Sequence, residues 1–107
     1  MAEKKKFKGH GNRNDNTEPH HLYEIIDSVD GDTFKYGISA EPIEKDGYSK
    51  RMRKQVTLGN LFVGWIRFFA RILVKNISGR KEAKQLEKEH IDKYEKERGR
   101  KPRGNQE

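Results

Sequence analysis

Residues 22–39, LYEIIDSVDGDTFKYGIS, constrain the fold most. LYEIID is rich in β-formers, Asp30-Gly31 is a strong turn dipeptide, and TFKYGIS runs back. The stretch reads as an antiparallel hairpin. A two-residue turn at Asp30-Gly31 would set Tyr23 opposite Ile38 and Ile25 opposite Tyr36, with both tyrosines on one face. Taken alone, two such aromatics are ordinary strand residues of a core.

A chain of 107 residues makes one domain with tails. Apolar residues are 31% and charged residues 38%, so the core is small and part of the chain is unfolded or partner-dependent. The net charge of +7 favours polyanions, nucleic acid before an anionic membrane, or an acidic protein. Without cysteine there is neither a disulfide framework nor a thiolate metal site. MAEKKKFKGHGN carries charge but no apolar h-region, so no secretory signal is visible. No run reaches the ~20 apolar residues of a membrane span.

Residues 1–20 are polar, rich in Gly and Asn, and read as a flexible basic leader; residues 21–107 read as the domain. The spacing of His10, His20 and His21 favours no metal site, which leaves a solvated linker. After the hairpin, AEPIEKDGYSK is a loop, and Ser49 is a candidate N-cap for a short helix over 50–56. From Gly47 to Lys81 there is no acidic residue but nine basic ones, the pattern of an anion-facing surface.

LFVGWIRFFARILV is the most apolar segment. Phe62, Trp65, Ile66, Phe69, Ile72 and Leu73 fall at i, i+3, i+4 spacing, which predicts a largely buried helix over 61–75 backing the sheet. On this reading Phe69→Ala unfolds the domain. Membrane insertion is the alternative, opposed by Arg67 and Arg71 at roughly 2.5–3.5 kcal/mol each at a bilayer centre. NISG then breaks the chain, with Ser78 as a candidate N-cap, before a second helix over 80–98 that Gly99 ends.

On that last helix Ala83, Leu86, His90, Ile91 and Tyr94 form the apolar stripe. With Ala83 at zero and ~100° per residue, Glu87 falls near ~40°, between Tyr94 and Ile91. A carboxylate on a core-facing stripe has to meet a cation, either an arginine or a hard metal ion such as Mg²⁺. His90 on the same stripe reads as a histidine bonded to a backbone carbonyl, against a His-Glu zinc pair.

In this order the pieces resemble the GIY-YIG nuclease superfamily. His21-Leu22-Tyr23 stands where its G-I-Y element would, and Lys35-Tyr36-Gly37-Ile38-Ser39 covers Y-I-G. Arg51 matches its arginine, with Arg53 as the alternative; Glu87, flanked by Leu86 and Ile91, matches its metal-holding glutamate. Pro102-Arg103-Gly104-Asn105 is similar to its P-R-Y-N ending. His21 replaces the first glycine, and Gln55 stands where histidine or tyrosine is common. Lys35 takes the place of the Y-I-G tyrosine with Tyr36 one step later, so either the register shifts or Lys35 stands in. With its long apolar insert, the short, self-contained domain is most similar to the GIY-YIG toxin domains that end bacterial polymorphic toxins.

The resemblance implies a small, mostly antiparallel α+β domain with flanking helices and a third strand near residues 100–106. It implies a Mg²⁺- or Mn²⁺-dependent endonuclease, with DNA as substrate and RNA as the alternative, and little sequence specificity. Glu87 would hold the metal, Arg51 the phosphate oxygens, Tyr23 would be general base with Tyr36 or Lys35 assisting, and Asn105 would fix local backbone or Tyr23. Lys50, Arg53, Lys54, Arg80, Lys81, Arg100, Lys101 and Arg103 would hold the nucleic-acid backbone. Cations near Tyr23 would lower its pKa. Such a domain is secreted by a specialised system, acts in the target-cell cytoplasm, avoids membranes, is a monomer when free and meets an acidic immunity protein. A non-catalytic nucleic-acid-binding module and a membrane-active toxin are the rival classes.

Overall fold

The hairpin forms, in a different register. The computed structural model describes residues 16–106; the rest of the expected leader, with His10, lies outside the described residues. Strand β1 spans Pro19–Asp27 and β2 spans Asp32–Ser39. Four residues, 28–31, join them in place of a two-residue turn, with Gly31 at φ 72° donating its N–H to Asp27 O. Ile25 pairs with Lys35 but Ile26 pairs with Thr33, so Phe34 is an extra, bulged residue. Tyr23 consequently faces Gly37, and Glu24 faces Tyr36. A one-residue slip turns a side chain to the other face. The two tyrosines therefore lie on opposite faces of the sheet, which corrects the expectation that they share one.

Helix α1 spans Lys50–Val63 and runs past the predicted end at 56. Ser49 caps it as expected, accepting from Met52 N, and Gly64 ends it in the left-handed region at φ 83°. Strand β3 then spans Phe68–Ser78, and helix α2 spans Arg80–Arg98 with Gly79 at its N-cap and Gly99 at its C-cap. The predicted apolar helix over 61–75 is thus the last turn of α1, a short link and most of β3. Its apolar residues fit a helical period, but Phe68, Ala70 and Ile72 also alternate, and alternation prevails. Phe69 points away from that face and is 44% exposed, so the core phenylalanine is Phe68, at 8%. No helix of the described residues is long and apolar enough to cross a membrane.

The third strand is therefore β3, not residues 100–106. The sheet is antiparallel with strand order β2-β1-β3, and the fold is α+β. Each of its faces carries an apolar cluster. Tyr23, Ile25, Phe68 and Ala70 pack with Met52 of α1, while Leu22, Ile38 and Ile77 pack with Ala83 of α2. The last residues form no strand but close the outer edge of β2. Gly104 N donates to Phe34 O, and the Asn105 amide both accepts from Tyr36 N and donates to Tyr36 O.

Candidate active site

Tyr23 is the fully buried centre of the α1-facing cluster. Its ring fits because residue 37 is glycine: a Cβ there would lie 2.4 Å from Tyr23 Cζ. Helix α1 is moored against this ring from both sides of its start. His21 Nε2 hydrogen-bonds Ser49 Oγ at 3.1 Å, and the Tyr48 hydroxyl oxygen accepts from Ala70 N–H at 3.0 Å. Burial lowers the His21 pKa, so the imidazole is neutral in this contact. The mooring carries Arg51, two residues past the cap, to the Tyr23 hydroxyl.

A cleft of about 180 Å³ opens at the end of β2, where its lining runs from Gly37 to Glu41. Tyr23 of β1, Lys35 of β2, Arg51 of α1 and Glu87 of α2 all line it. Arg80 and Lys84 complete the α2 side; at i, i+4, i+7 spacing Arg80, Lys84 and Glu87 share one helix face. Glu87 is held at 16% side-chain exposure, and Lys84 Nζ approaches it at 3.6 Å, a long ion pair. Lys84 and Glu41 escaped the sequence reading. The helical spacing to Glu87 is a signal for Lys84, whereas Glu41, in the loop after β2, had none.

The Tyr23 hydroxyl oxygen is buried without a hydrogen-bond partner. Burial pushes its pKa up; the nearby Arg51 guanidinium pulls it down without the geometry of a hydrogen bond, and the Glu87 and Glu41 charges push it up again. The net direction is upward, opposite to the expectation from neighbouring cations. Desolvation of the phenolate outweighs the arginine. Tyr23 is therefore a protonated phenol at neutral pH, set among charges of both signs.

The other predicted residues lie elsewhere. Tyr36 packs edge-on to His90 and Tyr94 on the α2 face, with ring centroids 5.5 and 6.5 Å away. His90 Nδ1 hydrogen-bonds Leu86 O, the backbone partner expected. Arg53 is bound to Glu44 and Asp46. Arg100 pairs with Asp32, and Arg103 with Asp27. Lys50, Lys54 and Lys81 are exposed, and Lys101 is half-buried. Asn105 touches the β2 backbone beside Lys35, not Tyr23.

Among the described residues no group of three or more His, Cys, Asp or Glu is arranged to hold a metal. The donors at the cleft are the single carboxylates Glu87 and Glu41. That set suits Mg²⁺ or Mn²⁺, hard ions that take one or two carboxylates and complete their shell with water and substrate phosphate. It does not suit a closed all-protein site.

A family model described as URI fold toxin 2 matches residues 13–99. No curated protein and no solved structure matches the chain.

Proposed function

The chain belongs to the URI fold toxin 2 family, and from that premise we propose that this toxin domain is a metal-dependent endonuclease of the GIY-YIG type. The observation that carries the reading is the meeting of Tyr23, Lys35, Arg51 and Glu87, from four different elements, in one small polar cleft. A structural salt bridge would need only Glu87 and one cation. Here the tyrosine hydroxyl is left unpaired beside them.

Each residue has a chemical task. Arg51 presents a planar fork of donors to the non-bridging phosphate oxygens. Lys35 and Arg80 add positive charge around the phosphate. The Tyr23 hydroxyl orients the attacking water and, as tyrosinate, takes its proton; the water oxygen bonds to phosphorus, and the bond from phosphorus to the 3′ oxygen breaks. That oxygen leaves and is protonated by solvent. Glu87 is the residue that would hold Mg²⁺ or Mn²⁺, an ion that supplies charge neutralisation at the phosphate and the leaving oxygen. A cation held by Glu87 would offset the carboxylate charge that helps to keep the Tyr23 proton in place. Lys50, Lys54 and Lys81, exposed and basic, contact the flanking backbone without reading bases. The domain acts inside a target cell after delivery by a specialised secretion system, and its natural antagonist is an acidic immunity protein.

The test is supercoiled plasmid incubated with the protein, with Mg²⁺ or with EDTA, beside Glu87→Gln and Arg51→Ala. Nicking that needs the metal and falls at least ~100-fold in both variants is expected, a loss of ~2.7 kcal/mol of transition-state stabilisation. Binding without cleavage under any divalent ion, on DNA and RNA alike, would make the domain a binding module.

A further inference from the structure

Among the described residues the most exposed large apolar side chains gather at one place. Phe62 is 92% exposed, Ile66 85% and Leu61 71%, with Leu58 and Trp65 beside them over half exposed. They crowd the end of α1 and the link to β3. Beside them runs a groove of about 670 Å³ lined by buried Ile25 and Phe68, half-buried Phe34, and the exposed Leu58 and Phe62. A contiguous apolar patch of this kind marks an interaction site.

We propose that this groove docks a protein partner that inserts apolar anchor side chains and surrounds them with carboxylates. The charge around the groove selects that chemistry. Lys35, Arg67 and Arg103 line it; Asp27 pairs with both arginines, at 2.7 and 3.1 Å, and offsets only one of their two charges, while exposed Lys54 continues the Leu58–Leu61 stripe of α1. No acidic residue occurs between Gly47 and Lys81. A second copy of this chain would bring cations against cations. Bases of a nucleic acid could stack on Phe62 but would leave Leu61, Ile66 and the buried floor of the groove unfilled. A bilayer could take the exposed tip but could not reach the buried floor of the groove, whereas side chains of a folded partner fill such a groove in the manner of interface anchors.

Lys35 lines both this groove and the cleft. An occupant of the groove therefore stands against one wall of the cleft. The obstruction of cleavage that follows rests on the nuclease reading, whereas the docking itself does not.

The test uses a random peptide library displayed on phage, selected on the full chain and counter-selected on the Phe62→Ser/Ile66→Ser double variant. Both positions are so exposed that the variant keeps the fold. Trp65, the chain's single tryptophan, lies in the patch and reports occupancy directly. Expected are peptides with Leu, Phe or Trp anchors flanked by Asp or Glu, which shift Trp65 emission to the blue and bind the double variant at least ~10-fold more weakly. Failure to enrich any peptide, enrichment of basic ones, or binding that ignores the double variant would overturn the proposal. So would phosphatidylglycerol vesicles that shift Trp65 while the peptides do not, which would make the patch a membrane face. None of these outcomes depends on cleavage. Plasmid nicking is then read separately: a peptide that binds and leaves nicking intact overturns the obstruction.

Discussion

A Cβ on Gly37 would stand 2.4 Å from Tyr23 Cζ and 2.5 Å from its hydroxyl oxygen, so the glycine exists for the tyrosine. Gly37→Ala has to push the ring out of the cluster or open β1 from β2. We expect a cost of ~1–3 kcal/mol in urea unfolding and a loss of plasmid nicking larger than that cost explains. A variant that cleaves like the parent would remove Tyr23 from the chemistry. The raised pKa of Tyr23 has two consequences of opposite sign. Folding favours the protonated phenol, so this contribution to stability is present below the ordinary tyrosine pKa and is lost as pH rises through the raised value. Cleavage that uses tyrosinate should instead climb steadily from pH 7 to 9 without a plateau. Tyr23→Phe should remove the climb, measured as initial nicking rate against pH. Of the residues that line the cleft, Tyr23, Arg51 and Glu87 were legible in order along the sequence, because each belongs to a short motif. Choosing Lys35 over Tyr36 was not. The choice hangs on Phe34, whose extra place in the bulge moves every later side chain of β2 to the opposite face.

At the scale of elements, α2 was readable from its stripe and its Gly99 stop, whereas α1 and β3 were not separable. In LFVGWIRFFARILV the residues that alternate also recur every three to four positions, and Trp65 and Ile66 suggest burial although both are exposed. The signal was Gly64, which takes a positive φ that a continuing helix excludes. The two neighbouring phenylalanines discriminate the readings. Phe68→Ala empties a buried site that also touches the Phe34 ring, 5.0 Å away between centroids, and should cost ~3–5 kcal/mol. Phe69→Ala acts on a half-exposed face and should cost no more than ~1 kcal/mol. Denaturant melts of the pair would settle the order; a larger loss at Phe69 would restore the buried helix.

Over the whole molecule, positive charge is both the asset and the burden. The chain spends several arginines on itself. Asp27 and Asp32, at the two ends of the hairpin loop, gather Arg67 from the link before β3, Arg98 from the end of α2, and Arg100 and Arg103 from the tail. The tail that closes the β2 edge beside Lys35 is thus anchored by two carboxylates. The Arg67 guanidinium, assisted by the Val29 N–H and Arg103, overcomes burial and holds Asp27 at about 2. At Asp32 burial pushes upward, but Arg100, the Tyr94 hydroxyl and Arg98 outweigh it, and its pKa is lowered too. Both folded values lie below the ~3.9 of a free aspartate. Their contribution to stability is therefore complete above about pH 4 and drains away as pH falls toward 2. Thermal melts from pH 7 down should show that loss. Asp27→Asn should flatten it while lowering stability at neutral pH by roughly 2 kcal/mol. This is less than the ~3–5 kcal/mol of a fully buried pair because Arg67 and Arg103 keep 27% and 38% of their side chains in water. If the tail anchor matters to the cleft, the same variant should lose nicking at neutral pH under conditions where it remains folded. Full activity in a folded Asp27→Asn protein would confine the arginine cluster to stability.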